Sequence, residues 1–170
     1  LAETGVPVAD YLDSIRSGVG QPQLPGEIAI ERTWDLSLTR LQEQSPGGHR
    51  LLQVCSVMAT DIALDLLYSD TLMAAVAAVD PVAGERAMRP ALVHSINRLA
   101  LLKLDTQSRQ VQVHRVLQES VRRRMSTEEQ ERTRHEVHLA LAAFRPSGEP
   151  DDPSTWDRFR IIWPHLRISE

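Results

Sequence analysis

At 170 residues, 42% of them hydrophobic, the chain has material for one domain, or for one domain and a piece of the next. Only 4% is aromatic, so a core must come from Leu, Val, Ile and Ala, a composition that favours helix. A formal net charge of −4 argues against a general binder of nucleic acid or anionic membranes, a lone cysteine excludes an intrachain disulfide, and no apolar run approaches a membrane span.

Leu1–Gly5 reads as the tail of a helix begun upstream, with Gly5 as its stop, so the chain looks like an excerpt from a longer one. Pro7 suits the first turn of a helix striped by Val8, Tyr11, Leu12 and Ile15. Gly18–Gly26 (GVGQPQLPG) is a linker and the first hinge. Residues 1–26 are therefore assigned to an upstream segment and residues 27–125 to the main domain. Glu27–Gln44 is a helix with Ile30, Trp34, Leu38 and Leu41 on one face. Ser45-Pro46-Gly47-Gly48 ends it and opens the next. His49–Met58 is apolar on several sides, which places it at the domain centre with Cys55 as a buried core residue. Short helices are expected over Ile62–Tyr68 and Asp70–Val79. Asp80-Pro81 breaks the run, and Pro90 suits the start of another helix.

The stretch Leu99–Met125 changes period twice. Leu102 and Leu104 alternate with Lys103 and Asp105, a polar turn follows at Thr106-Gln107-Ser108, and alternation resumes from Gln110 to Val113. Two such runs around a turn read as a β-hairpin. With Val111 and Val113 facing the core, Gln110, Gln112 and His114 face outward. From Arg115 the period is helical, with Leu117, Val121 and Met125 on one side and Val116 beside them. Helix, hairpin, helix is the signature of a winged-helix module. The fold class is thus mainly α with one small antiparallel hairpin. Ser126 and Glu129 form a capping box for a helix running to about Phe144, which buries Val137, Ala140, Leu141 and Phe144. After a second Pro/Gly linker, Arg145–Asp152, a last helix carries Trp156, Phe159, Ile162 and Trp163 with no visible partner. Residues 126–170 therefore read as a connector into further helices.

None of the eight glycines precedes Lys, so a P-loop is absent, and Gly-x-Ser-x-Gly, His-Glu-x-x-His and Cys-x-x-Cys are absent too. No catalytic residue is assigned. His135 and His138 lie at i, i+3, but no third ligand is near, so no metal site is assigned. His49, His94 and His165 stand alone. Arg122, Arg123 and Arg124, with Arg115 before them, are either a phosphate-binding stripe or a solvated helix end. His114, where strand gives way to helix, is well placed to meet an anion.

The run VQVHRVLQESVRRRM resembles the closing motif of the winged-helix domain in STAND-type NTPases, the signal-transduction class that includes the NB-ARC proteins. In that family the strand-to-helix junction is Met-His-Asp, and its His contacts the β-phosphate of bound ADP. Here it is Val113-His114-Arg115: the His is kept, while Val and Arg replace Met and Asp. LAETGVPVADYLDSI, TWDLSLTRLQEQSPGGHRLLQVCSVMA, INRLALLKLD and DDPSTWDRF are similar to bacterial members with C-terminal tetratricopeptide repeats. The resemblance implies a cytoplasmic regulatory segment whose partners are an upstream NTPase domain, loaded with ADP or ATP and Mg, and a downstream repeat domain. It casts His114 and Arg115 as nucleotide-phosphate sensors. Arg115 cannot cap the helix as Asp would, but it brings a cation to the phosphate. Two other classes fit the residues: a DNA-binding winged helix of a transcriptional regulator, and a structural adaptor. The helix before the hairpin offers only His94, Ser95, Asn97 and Arg98 to DNA, which is thin for groove binding.

Overall fold

A computed structural model describes residues 25–148 and 151–168, with side chains described from Trp34 onward. The expected Pro7 helix, most of the Gly18–Gly26 linker and the side chain of Ile30 lie outside the described residues. The chain divides into two units, residues 1–33 and 34–170; the fold below is that of the second.

Helix α1 (Pro25–Gln44) begins two residues before the expected Glu27, with Pro25 as its first residue. From its second half Leu38 and Leu41 enter the core, and Trp34 is half-buried. In α2 (Pro46–Ser56) the Ser45 hydroxyl accepts the Gly48 N–H at 3.2 Å, which satisfies one of the donors a helix start leaves open. Leu51, Leu52, Val54, Cys55 and the following Met58 are all buried, as the sequence implied. This helix is the hub of the core.

A three-stranded antiparallel sheet follows, formed by β1 (Asp61–Ala63), β2 (Lys103–Asp105) and β3 (Gln110–Gln112) in the order β1-β3-β2. Ile62, Val111 and Leu104 align across it, as do Asp61, Gln112 and Lys103 on the opposite face. The hairpin is as expected, but β1 is not. The sequence points to a helix over Ile62–Tyr68, but Ile62 and Ala63 belong to β1 and only α3 (Leu64–Leu67) is helical. Ile62 is buried opposite Val111 while Asp61 is exposed, an alternation too short to stand out beside Leu64, Leu66 and Leu67. Beyond the strands, Val113 N–H donates to Thr60 C=O at 2.9 Å.

Helix α4 (Asp70–Ala77) and two 3-10 turns lead to α5 (Arg89–Arg98), which has Pro90 in its first turn. Ala100, at φ 57°, takes the left-handed conformation that closes α5. Helix α6 (Arg115–Arg124) leaves β3, and α2 packs against α5 and α6. Its inward face differs from expectation. Val116 is 43% exposed, whereas Gln118 is 4% exposed and donates to Cys55 C=O at 2.8 Å and Met58 C=O at 3.1 Å. Helix C-termini leave carbonyls unpaired, and the Gln118 amide satisfies those at the end of α2.

Helix α7 (Thr127–Phe144) carries both halves of the capping box, and its expected apolar face is buried. Arg50 of α2 reaches it, donating to Thr133 at 2.9 Å and pairing with Glu136. Helix α8 (Trp156–Leu166) does have partners, contrary to expectation. Ile162 is buried, and His165, 1% exposed, accepts the Ala59 N–H on Nδ1 at 3.1 Å. His165 is thus a structural anchor rather than a silent residue. Among the described residues no helix is long and apolar enough to cross a membrane.

Candidate functional site

A cavity of about 600 Å3 opens where the sheet meets the start of α6. Its polar and aromatic lining comes from Trp34 of α1, Asn97 of α5, Lys103 of β2, Gln112 of β3, and His114 and Arg115. Leu101, Leu102 and Val113 contribute apolar lining.

The sheet's period of two builds this site. Val111 and Val113 are fully buried, so Gln112 and His114 emerge on the other side. At His114 the backbone is still extended (φ −63°, ψ 133°), and the residue is the N-cap of α6. Its Nδ1 accepts the Val116 N–H at 3.3 Å. An accepting Nδ1 carries no hydrogen, so the neutral ring bears its proton on Nε2. Nε2–H is then the donor left for a ligand. The His114 side chain itself therefore caps α6. Trp34 lies beside His114, ring centroids 6.3 Å apart and tilted by 42°.

Two cations line the cavity with His114. Arg115 and Lys103 are both exposed, and neither has an ion-pair partner among the described residues. Lys103 pairs with Gln112 in the ladder, and it lines the same cavity as His114, two residues beyond Gln112.

The arginine cluster is not part of this site. Arg122, Arg123 and Arg124 sit at the far end of α6, about 10–14 Å from its start at 1.5 Å per residue. Arg122 pairs with Glu119 at 2.8 Å and donates to Ser56 C=O. Arg123 pairs with the same carboxylate at 3.0 Å, and Arg124 pairs with Asp35. Hydrogen bonding from Arg122, with Arg123 adding to it, holds Glu119 below the usual carboxylate range. His135 and His138 are exposed on α7, and among the described residues no group of three His, Cys, Asp or Glu could hold a metal. Burial pushes the Cys55 thiol up to about 12, so it is not a nucleophile.

Trp34, Asn97 and Lys103 carried no site assignment in the sequence. Trp34 read as core stripe and Asn97 as a thin DNA contact. The available signal was the hairpin register, which sets Lys103 opposite Gln112 and hence near His114.

Fold and site together define a mainly helical domain with a small antiparallel sheet and a cation-flanked cavity at a helix start. Residues 39–130 match the family model described as Domain of unknown function (DUF7779), and the chain belongs to that family. The match runs from within α1 into α7 and takes in the whole sheet. Neither a curated protein nor a solved structure matches the chain.

Proposed function

We propose that this chain is the winged-helix regulatory segment of a STAND-type signalling NTPase, coupling the ADP or ATP state of an upstream nucleotide domain to a downstream repeat array. The observation that carries the reading is that His114, Arg115 and the start of α6 line one open cavity. That is the equipment for a phosphate: an imidazole N–H donor, a bidentate cation and the positive end of a helix. The order α2, β1, α3–α4, α5, β2, β3, with β1 beside β3, suits a winged helix whose wing is the β2–β3 hairpin.

In this reading the phosphates of bound ADP, held upstream, dock against His114 and Arg115 and keep the segment in its resting position. Exchange to ATP loses that contact and releases it, a two-state switch. The chain carries no P-loop, so binding of Mg and hydrolysis belong to the upstream domain. A charge-assisted hydrogen bond is worth roughly 1.5–3 kcal/mol, so His114→Ala should weaken ADP retention about ten- to hundredfold. ADP affinity and dissociation rate in the full-length protein test this, with Arg115→Ala as companion. Unchanged ADP retention in His114→Ala removes the sensor role.

A further inference from the structure

The last helix turns a second apolar face outward. Of the ten large hydrophobic side chains exposed among the described residues, four lie between Trp156 and Ile168. Ile161, Ile162 and His165 of α8 pack inward, and Trp156, Phe159, Trp163 and Leu166 fall on the opposite side of the helix. Trp156 is 49% and Trp163 64% exposed, and with Phe159 and Pro164 they line an open groove. We propose that this face is a dimerisation surface, on which a second copy of α8 packs antiparallel about a two-fold axis. The proposal does not depend on the phosphate reading of the His114 cavity.

The spacing is that of a seam between helices. Trp156, Phe159, Trp163 and Leu166 stand three, four and three residues apart, the alternation that keeps one stripe against a partner helix. Antiparallel pairing that sets Trp156 level with Leu166 of the other copy also sets Phe159 level with the other Trp163. All four apolar positions then meet apolar ones. The exposed parts of these side chains, with the aliphatic stems of Arg160 and Arg167 beside them, amount to roughly 400–500 Å2 per copy. The two copies together bury about 800–1,000 Å2, the lower end of what a specific interface needs. The dimer is therefore weak and forms with rising concentration.

Charge selects a second copy and fixes its direction. Asp151, Asp152 and Asp157 gather at the start of α8, while Arg160 and Arg167 lie further along it and at its end. Asp157 and Arg160 form an exposed pair at 3.4 Å, whereas Arg158 lies over the Phe144 ring at 4.6 Å. The Ser154 N–H holds the Asp152 carboxyl below the usual carboxylate range. A surface acidic at one end and basic at the other complements itself when two copies run in opposite directions. In the register above, Arg167 of one copy comes level with Thr155 of the other, between Asp152 and Asp157. Parallel packing sets acid on acid and arginine on arginine, and aligns the helix dipoles unfavourably. An anionic membrane meets the three aspartates as well as the arginines, a repulsion that the antiparallel pairing avoids.

Sedimentation equilibrium of the 170-residue chain at neutral pH and low salt tests this. The wild type should pass from monomer to dimer with a Kd of about 10–100 μM. Trp163→Ala should weaken the dimer at least about tenfold, as loss of a central aromatic anchor does. Trp163 is exposed, and circular dichroism checks that the variant folds. Arg167→Glu and Asp157→Arg should each weaken their own dimer about three- to tenfold. An equimolar mixture of these two variants should associate about as well as the wild type, because each copy then meets the opposite charge at both ends. Monomers at every concentration overturn the proposal and leave the face to a partner of different sequence. A dimer that Trp163→Ala leaves unchanged, or a mixture no tighter than the separate variants, overturns it as well. ADP retention in full-length His114→Ala is a separate measurement and decides only the sensor reading.

Discussion

Gln118 and Val116 exchange the roles their chemistry suggests. The apolar residue faces water, and the amide lies in the core beneath the end of α2. Leu117, Val121 and Met125 fix the buried side of α6 from sequence, but the pattern cannot say which flank of that stripe is covered. That depends on α2 ending at Ser56 with carbonyls that need a donor. A falsifiable contrast follows. Gln118→Leu removes the side-chain donor that the Cys55 and Met58 carbonyls share and should cost about 1–3 kcal/mol in urea unfolding. Val116→Ala should stay within about 0.5 kcal/mol, as exposed positions do. If Val116→Ala is the more damaging of the two, the α6 face has been assigned wrongly.

At the level of elements, the hairpin was legible because two alternating runs flank a polar turn, and their alternation alone is enough to turn His114 outward. Strand β1 was not legible. Three residues give one full alternation, and ATDIALDLL offers leucines at helical spacing straight after them. Its partner β3 lies some fifty residues away, and tertiary pairing decided the matter. The capping box of α7 was legible because its chemistry is local. Ser126→Ala removes the acceptor for Glu129 N–H and should cost about 1 kcal/mol, read as a lowered melting temperature; no change would mean that the helix start is held by packing alone. Helix α5 bears on the DNA-binding alternative. Its exposed polar positions, His94, Asn97 and Arg98, bring one formal positive charge. No sub-micromolar binding to duplex DNA is expected in gel shifts at low salt. Tight binding that weakens steeply with salt would revive that alternative.

Across the whole molecule, stability should depend on acid in a way that one residue dominates. His165 joins α8 to the turn after α2 through its bond from Ala59 N–H, and Ala59 adjoins Thr60, which holds Val113 beside the cavity. Burial lowers its pKa from the usual 6.5 to about 4. The folded state keeps the ring neutral, while the unfolded chain takes up a proton below about 6.5, so the unfolded state binds more protons between these values. Stability is therefore full above pH 6.5, falls as the pH drops towards 4, and loses no more from this group below that. The interval corresponds to about 3 kcal/mol, a large share of the 5–15 kcal/mol typical of a domain. His49, whose pKa burial also lowers, acts in the same direction. Asp70, Asp105, Glu119, Glu129 and Asp152 are held below the usual carboxylate range by hydrogen bonds, so their contribution is lost only at more acidic pH. Urea midpoints measured from about pH 8 to pH 4 should show the first decline near 6.5. His165→Gln can still accept the Ala59 N–H but cannot be charged, so its curve should be flatter between pH 6.5 and 4 than that of the wild type. A variant with the wild-type slope would show that other groups set the acid response.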